Sequence, residues 1–249
     1  GFLASSDLAT LGTKISVYGY LDEMPLSYGT EAALSGKNLE YKNINDVNRW
    51  IIVDDSGNPL TYYWLGLGTY KFYGWLKHDV VGSLSIPNTW TYDDATKKLT
   101  VPTTTVNTSY NQFDFLYSDI AQRIMDESNF ATLKRQPVSL SMKHLFTAFG
   151  IGIRNTSEDA ITVKKVALYA IHETGSAEID YSGETAATTY TTSTSRAANE
   201  PFISSDTQFT LISSPTTGGT VEYNIFNPAE DAKHYYMVWP QSAEVLSPT

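Results

Sequence analysis

The sequence predicts an all-β protein built as two tandem β-sandwich domains with little helix. Apolar and polar residues alternate with period two over most of the chain, the spacing that turns one side of each strand to a core. Clusters of Gly, Asp, Asn and Pro interrupt these runs at short intervals, as turns between strands do. A chain of 249 residues exceeds one small sandwich and suits two.

Each element follows from its own pattern. Ile15, Val17, Gly19 and Leu21 share one face, with Lys14, Ser16, Tyr18 and Tyr20 on the other. The apolar run from Trp50 to Val53 reads as a buried strand, closed by the turn Asp54-Asp55-Ser56-Gly57-Asn58-Pro59. Leu60 to Leu65 reads as its return strand in a hairpin. Gly66-Leu67-Gly68-Thr69 is a strand-to-strand turn. Tyr70, Phe72, Gly74 and Leu76 then alternate with Lys71, Tyr73 and Trp75. A further hairpin joins Trp90-Thr91-Tyr92 to Leu99-Thr100-Val101 across an acidic turn. Ile120 and Ile124 stand at helical spacing, which predicts a turn or two of helix within Ser118 to Ser128. Leu133 to Pro137 reads as the linker, giving domains 1–135 and 136–249.

Beyond it, Val138, Leu140 and Met142 alternate, and Phe149, Ile151 and Ile153 resume after a break. Ile161 and Val163 are out of phase with Val166, Leu168 and Ala170, so a bulge is expected near Lys164-Lys165. Glu178–Tyr181, Gln208–Ile212, Thr220–Phe226 and Tyr235–Trp239 are further strands. Glu184 to Asn199 is rich in Thr, Ser and Ala, with Tyr190 its one aromatic. It is expected to be a long mobile loop, because it has little to bury.

Composition narrows the function. Charged residues are 18% and the net charge is −10. No basic run interleaved with aromatics occurs, so nucleic acid is not an expected partner. With no Cys, the chain has neither disulfides nor thiolate chemistry, and this favours a bacterial over a secreted eukaryotic origin. No apolar run approaches membrane-spanning length. No signal peptide stands at the start, and Gly1-Phe2-Leu3-Ala4 reads as the scar of a processed chain.

The search for chemistry returns little. His78, His144, His172 and His234 form no metal-binding spacing, and His144 reads as a hydrogen-bonded packing residue between Lys143 and Leu145. No nucleophile elbow or phosphate-binding glycine loop occurs. The acidic pairs Asp54/Asp55, Asp93/Asp94 and Glu230/Asp231 read as solvated loop tips, although Asp54 to Asn58 offers oxygen ligands of the kind calcium takes. Asn107-Thr108-Ser109 and Asn155-Thr156-Ser157 fit the glycosylation sequon, which carries no meaning in a bacterial chain. Trp64, Trp75, Trp90 and Tyr92 suggest either core packing or a sugar-stacking platform, and packing is the usual fate of such rings. The expectation is therefore no enzyme, no catalytic, metal or cofactor-binding residue, and no cofactor.

Several segments in order resemble one family. Tyr62-Tyr63-Trp64 followed by Tyr70-Lys71-Phe72-Tyr73-Gly74-Trp75 resembles the Tyr-Trp-Pro and aromatic strands of the fimbrillin-like proteins of Bacteroidetes, the major and minor subunits of surface fimbriae. Phe113-Asp114-Phe115-Leu116-Tyr117 is similar to its Asp-Phe-Leu segment. Val138 to Leu145, then Phe149 to Asn155, resemble its next two strands, with Met142 in place of Phe. Ile161 to Tyr169 and Tyr236-Met237-Val238-Trp239-Pro240-Gln241 are similar to later strands. The chain departs at Leu65, where the family has Pro, and it ends eight residues after Gln241, where family members continue. The resemblance implies two transthyretin-like sandwiches, the second lacking its final strands. It implies export as a lipoprotein, anchored to the outer membrane through a lipid on a removed leader and displayed on the cell surface. It also implies assembly with other fimbrial subunits by β-strand donation, with the incomplete second domain as acceptor, and adhesion to a host protein or glycan. The alternative is a carbohydrate- or host-ligand-binding surface lipoprotein, which requires Trp64, Trp75 and Trp90 to stand exposed in a row.

Overall fold

The computed structural model describes residues 14–27, 33–77, 90–106, 115–149, 155, 158–169, 171–193, 197, 199–205, 209–211 and 236–240. Within them the chain is all-β. Its strands are β1 (Lys14–Leu21), β2 (Met24–Pro25), β3 (Lys37–Ile44), β4 (Val47–Val53), β5 (Gly68–Lys77), β6 (Thr91–Asp93), β7 (Lys98–Thr105), β8 (Leu116–Ser118) and β9 (Ala121–Met125). One helical turn follows, α1 (Phe130–Leu133). Then come β10 (Met142–His144), β11 (Thr147–Phe149), β12 (Ile161–Val163), β13 (Val166–Leu168), β14 (Thr174–Asp180), β15 (Ala187–Ser193), β16 (Ile203–Ser205), β17 (Phe209–Leu211) and β18 (Tyr236–Val238).

An eight-stranded sheet runs β10-β8-β5-β1-β3-β4, with β2 added to β1 and β9 to β5; a four-stranded sheet runs β15-β14-β7-β6. Every pairing is antiparallel. The two sheets share a core in which Tyr20, Tyr73 and Trp75 of the large sheet meet Leu99, Val101, Ala177 and Ile179 of the small one. Trp239, fully buried, closes this core from beside β14, where a side chain at Gly175 would strike its indole.

The alternation read in β1 and β5 holds, and register explains why both faces are buried. Tyr18 opposes Tyr73 and Ser16 opposes Trp75 on the inner face; Val17 opposes Gly74 and Gly19 opposes Phe72 on the outer face. A Cβ at Gly74 would press on the Ser16 carbonyl oxygen, so the two strands require glycine there. The outer face carries a second cluster, Val17, Leu26, Leu34, Tyr70, Phe72 and Met125. Irregular chain and α1 cover it, through Tyr62, Trp64, Phe130, Leu133, Val138 and Leu140. Two-residue turns with positive φ, Asp22-Glu23 and Asn45-Asp46, close the β1–β2 and β3–β4 hairpins, as primed turns do.

Several expectations need correction. The boundary at 135/136 does not divide the sheets: β10 pairs with β8, and β14 pairs with β7. Leu60 to Leu65 is no return strand, since β4 pairs with β3; only the Val53–Pro59 bridge and one Leu60 N–H to Ile52 bond tie the segment back. The helix expected within Ser118 to Ser128 is instead β8 and β9. There Ala121, Arg123 and Met125 alternate inward and Ile124 is 60% exposed. An arginine in an inward position disguised the strand period. Glu184 to Asn199 holds β15, paired with β14 along seven residues. Thr is a good strand residue, and its alternate positions bury only Tyr190 and two hydroxyls, so hydrophobicity gave no signal. At Lys164-Lys165 the phase slip separates two strands, β12 paired with β17 and β13 with β16. Thr220–Phe226 lies outside the described residues, as do Ile151, Ile153 and Ala170.

Candidate functional site

The large sheet ends on β4, and among the described residues no strand runs along its outer side beyond the Val53–Pro59 bridge. Because the Ile52 carbonyl turns outward to accept from Leu60 N at 2.8 Å, strand alternation turns the backbone groups of Trp50 and Asn48 outward too. No strand pairs with them among the described residues. Unpaired edges of this kind invite another strand.

The Asp54 turn finishes the far end of β4. The Asp54 carboxylate accepts from Ser56 N at 2.9 Å, Asn58 N at 2.8 Å and Asn58 Nδ2 at 3.0 Å. These bonds, led by the Asn58 side chain, hold its carboxyl below its usual pKa. Lys42 Nζ donates to Gly57 O at 2.6 Å. The oxygens considered for calcium are thus engaged by their own loop, and among the described residues no three His, Asp or Glu converge to hold a metal.

Beneath β4 lies an apolar groove of about 370 Å³. Trp50, Ile51 and Ile52 form one wall, Leu60 and Tyr62 another, and Val138 and Leu140 the cover. Arg123 holds that cover in place. Its guanidinium donates to the carbonyls of Leu133, Gln136 and Pro137, each at 2.9 Å. It also lies 5.3 Å from the centre of the Trp64 ring, whose Nε1 donates to Lys134 O at 2.9 Å. The groove belongs mainly to residues 17–72.

The remaining candidates sort as follows. Trp75 is buried, Trp90 stacks on Phe115 with ring centres 3.6 Å apart, and Trp64 packs edge-on to Tyr70 and Phe72. The expected alternatives of packing and platform resolve as packing for all three. Tyr92 joins a hydroxyl cluster between the sheets. Its OH lies 3.0 Å from that of Tyr20 and 2.5 Å from that of Tyr73, and Tyr20 also donates to Asp94. Burial pushes the Tyr92 pKa up to about 12, and raises those of Tyr20 and Tyr73 further. The Tyr20 hydrogen bond, with Lys97 at 3.1 Å, lowers that of Asp94 against the opposing effect of burial. The cluster ties Tyr20 and Tyr73 of the large sheet to Tyr92 and Asp94 of the small one.

His144 is exposed on β10, not packed. The buried neighbours are Leu145 and Phe146. His172 Nδ1 is 2.8 Å from Thr192 Oγ1. Asn155 is buried, and its Nδ2 donates to Asp159 O at 2.8 Å. Its amide is therefore closed to a glycan. Asp93 accepts from Ala95 N and Thr96 Oγ1 within its own turn. His78, His234, Asn107, Glu230 and Asp231 lie outside the described residues. Sequence reasoning missed the Tyr20–Tyr73–Tyr92–Asp94 cluster and the open β4 edge. The Asn45-Asp46 dipeptide was the available signal for the second, since it marks the tight turn that makes β3 the partner of β4.

No family model, curated protein or solved structure matches the chain.

Proposed function

We propose that the protein is a structural, adhesive subunit of bacterial surface fimbriae that joins neighbouring subunits by β-strand addition. One observation carries the reading: among the described residues, the β4 backbone at Asn48 and Trp50 pairs with no strand on its outer side and stands directly beside an apolar groove that none of them fills. An arriving strand supplies the missing backbone hydrogen bonds, and its alternate side chains enter the groove. Apolar burial contributes about 25 cal/mol per Å², so such a joint is held by backbone and side chains together. Placement on the outer cell surface through a lipid anchor belongs to the same reading.

Overlapping peptides that tile the chain's own sequence test it, added to the isolated protein and read by melting temperature and size-exclusion. At least one peptide is expected to bind and raise the melting temperature by several degrees. Asn48→Pro removes an outward N–H without touching the β3 ladder, so it should abolish that binding, whereas Asn48→Ala should keep it. A monomer whose melting temperature ignores every peptide contradicts the reading.

A further inference from the structure

We propose that the Tyr41–Trp50 ring pair, flanked by the Asn43 and Asn48 amides, is a binding site for a neutral pyranose sugar. Register places these four side chains on one face of the β3–β4 hairpin: Tyr41 opposes Trp50 and Asn43 opposes Asn48. The rings lie 5.5 Å apart and 57° out of parallel, which makes a shallow V rather than a flat stack. Tyr41 is 39% exposed, and both asparagines are exposed.

Three features favour a sugar over other ligands. Trp50 is backed by the cluster of Ile15, Leu76 and Leu116, so its ring is held before any ligand arrives, and a preordered group loses less entropy on binding. Tyr and Trp combine an apolar body with a polar tip, which matches a pyranose, whose ring C–H groups form an apolar face edged by hydroxyls. The charged side chains nearest the pair, Glu40, Lys42 and Arg49, fall on the opposite face by strand alternation, and Lys37, on the same face, lies four residues from Tyr41. A patch with amides and no charge beside its rings selects a neutral ligand. Asn43 Oδ1 accepts from Asp46 N at 3.1 Å. That bond fixes its amide and leaves its NH2 to donate. The site shares Trp50 with the groove at the β4 edge, but a sugar is held by ring faces and side-chain amides and a strand by backbone, so Tyr41→Ala separates the two.

The test is an array of neutral oligosaccharides printed beside sialylated and sulfated ones, followed by titration of the best binder. Binding to neutral glycans that survives 0.5 M salt is expected. Tyr41→Ala and Asn48→Ala, both at exposed positions and both checked for an unchanged circular dichroism spectrum, should weaken it about tenfold and a few-fold respectively, the usual scale for one stacking ring and one hydrogen bond. Binding to charged glycans alone, no binding at all, or binding untouched by both substitutions overturns the proposal.

Discussion

β4 and β15 are each seven residues long and each ends a sheet, yet they are finished differently. Along β15 the inward side chains are all engaged. Thr188 donates to the Tyr117 hydroxyl at 2.8 Å, Tyr190 packs edge-on to Trp239, and Thr192 bonds His172. Along the outer side of β4 the backbone of the described residues is tied only at Ile52 and Val53, and Trp50 and Ile52 border a groove that none of the described residues fills. The difference separates two requirements of strand addition. Free backbone groups give an arriving strand its direction and register. A strip of unfilled core gives it side-chain burial, and of these two edges β4 offers both.

The largest expected effect comes from the sealed side. Trp239→Ala should cost about 3–5 kcal/mol, the usual loss for a buried aromatic, because the indole is fully buried and its Nε1 donates to Thr104 O at 3.0 Å. Leu140→Ala, at the groove, should cost about 1–2 kcal/mol, since a half-buried site loses less. Urea melts of both variants measure the contrast, and equal losses would remove it.

Arg123→Ala should cost about 1–2 kcal/mol through its lost bonds to three carbonyls. It should also speed amide exchange over residues 133–140, because the cover loses its clamp. Exchange unchanged there, with stability lost, would make Arg123 part of the core rather than of the groove.

Part of the pH dependence should come from between the sheets. The folded pKa of Asp94 is depressed, so its contribution is complete above about pH 4 and disappears as pH falls through the folded value. Tyr92 is raised to about 12. Its contribution is complete below pH ~10 and lost as pH climbs from there toward the folded value, because the unfolded phenol ionises first. Melting temperatures across both windows, with Asp94→Asn and Tyr92→Phe, check this. Each substitution should shallow its own limb, which other tyrosines and aspartates share, and leave the other.

The sequence made the all-β class and most strands legible because alternation survives wherever one face is apolar. β5 and the β6–β7 hairpin are examples, read directly from Tyr70 to Leu76 and from the Asp93-to-Lys98 turn. It failed where inward positions are polar. In β9 the inward Arg123 hid the period, and in β15 threonines gave no contrast between faces. The partner of β4 was misassigned for a related reason: Leu60, Tyr62 and Trp64 alternate like a strand, but they cover the sheet instead of extending it. The open edge itself depends on which strand ends the sheet, a long-range property that local pattern does not encode.

Amide hydrogen exchange at Asn48 and Trp50 addresses strand addition at β4 most directly, compared between the isolated monomer and the protein bound to its best strand peptide. Both amides should exchange quickly in the monomer and be strongly protected in the complex, with β15 unchanged. Protection that appears on β15 alone, or amides of β4 that exchange equally fast in both states, would contradict it.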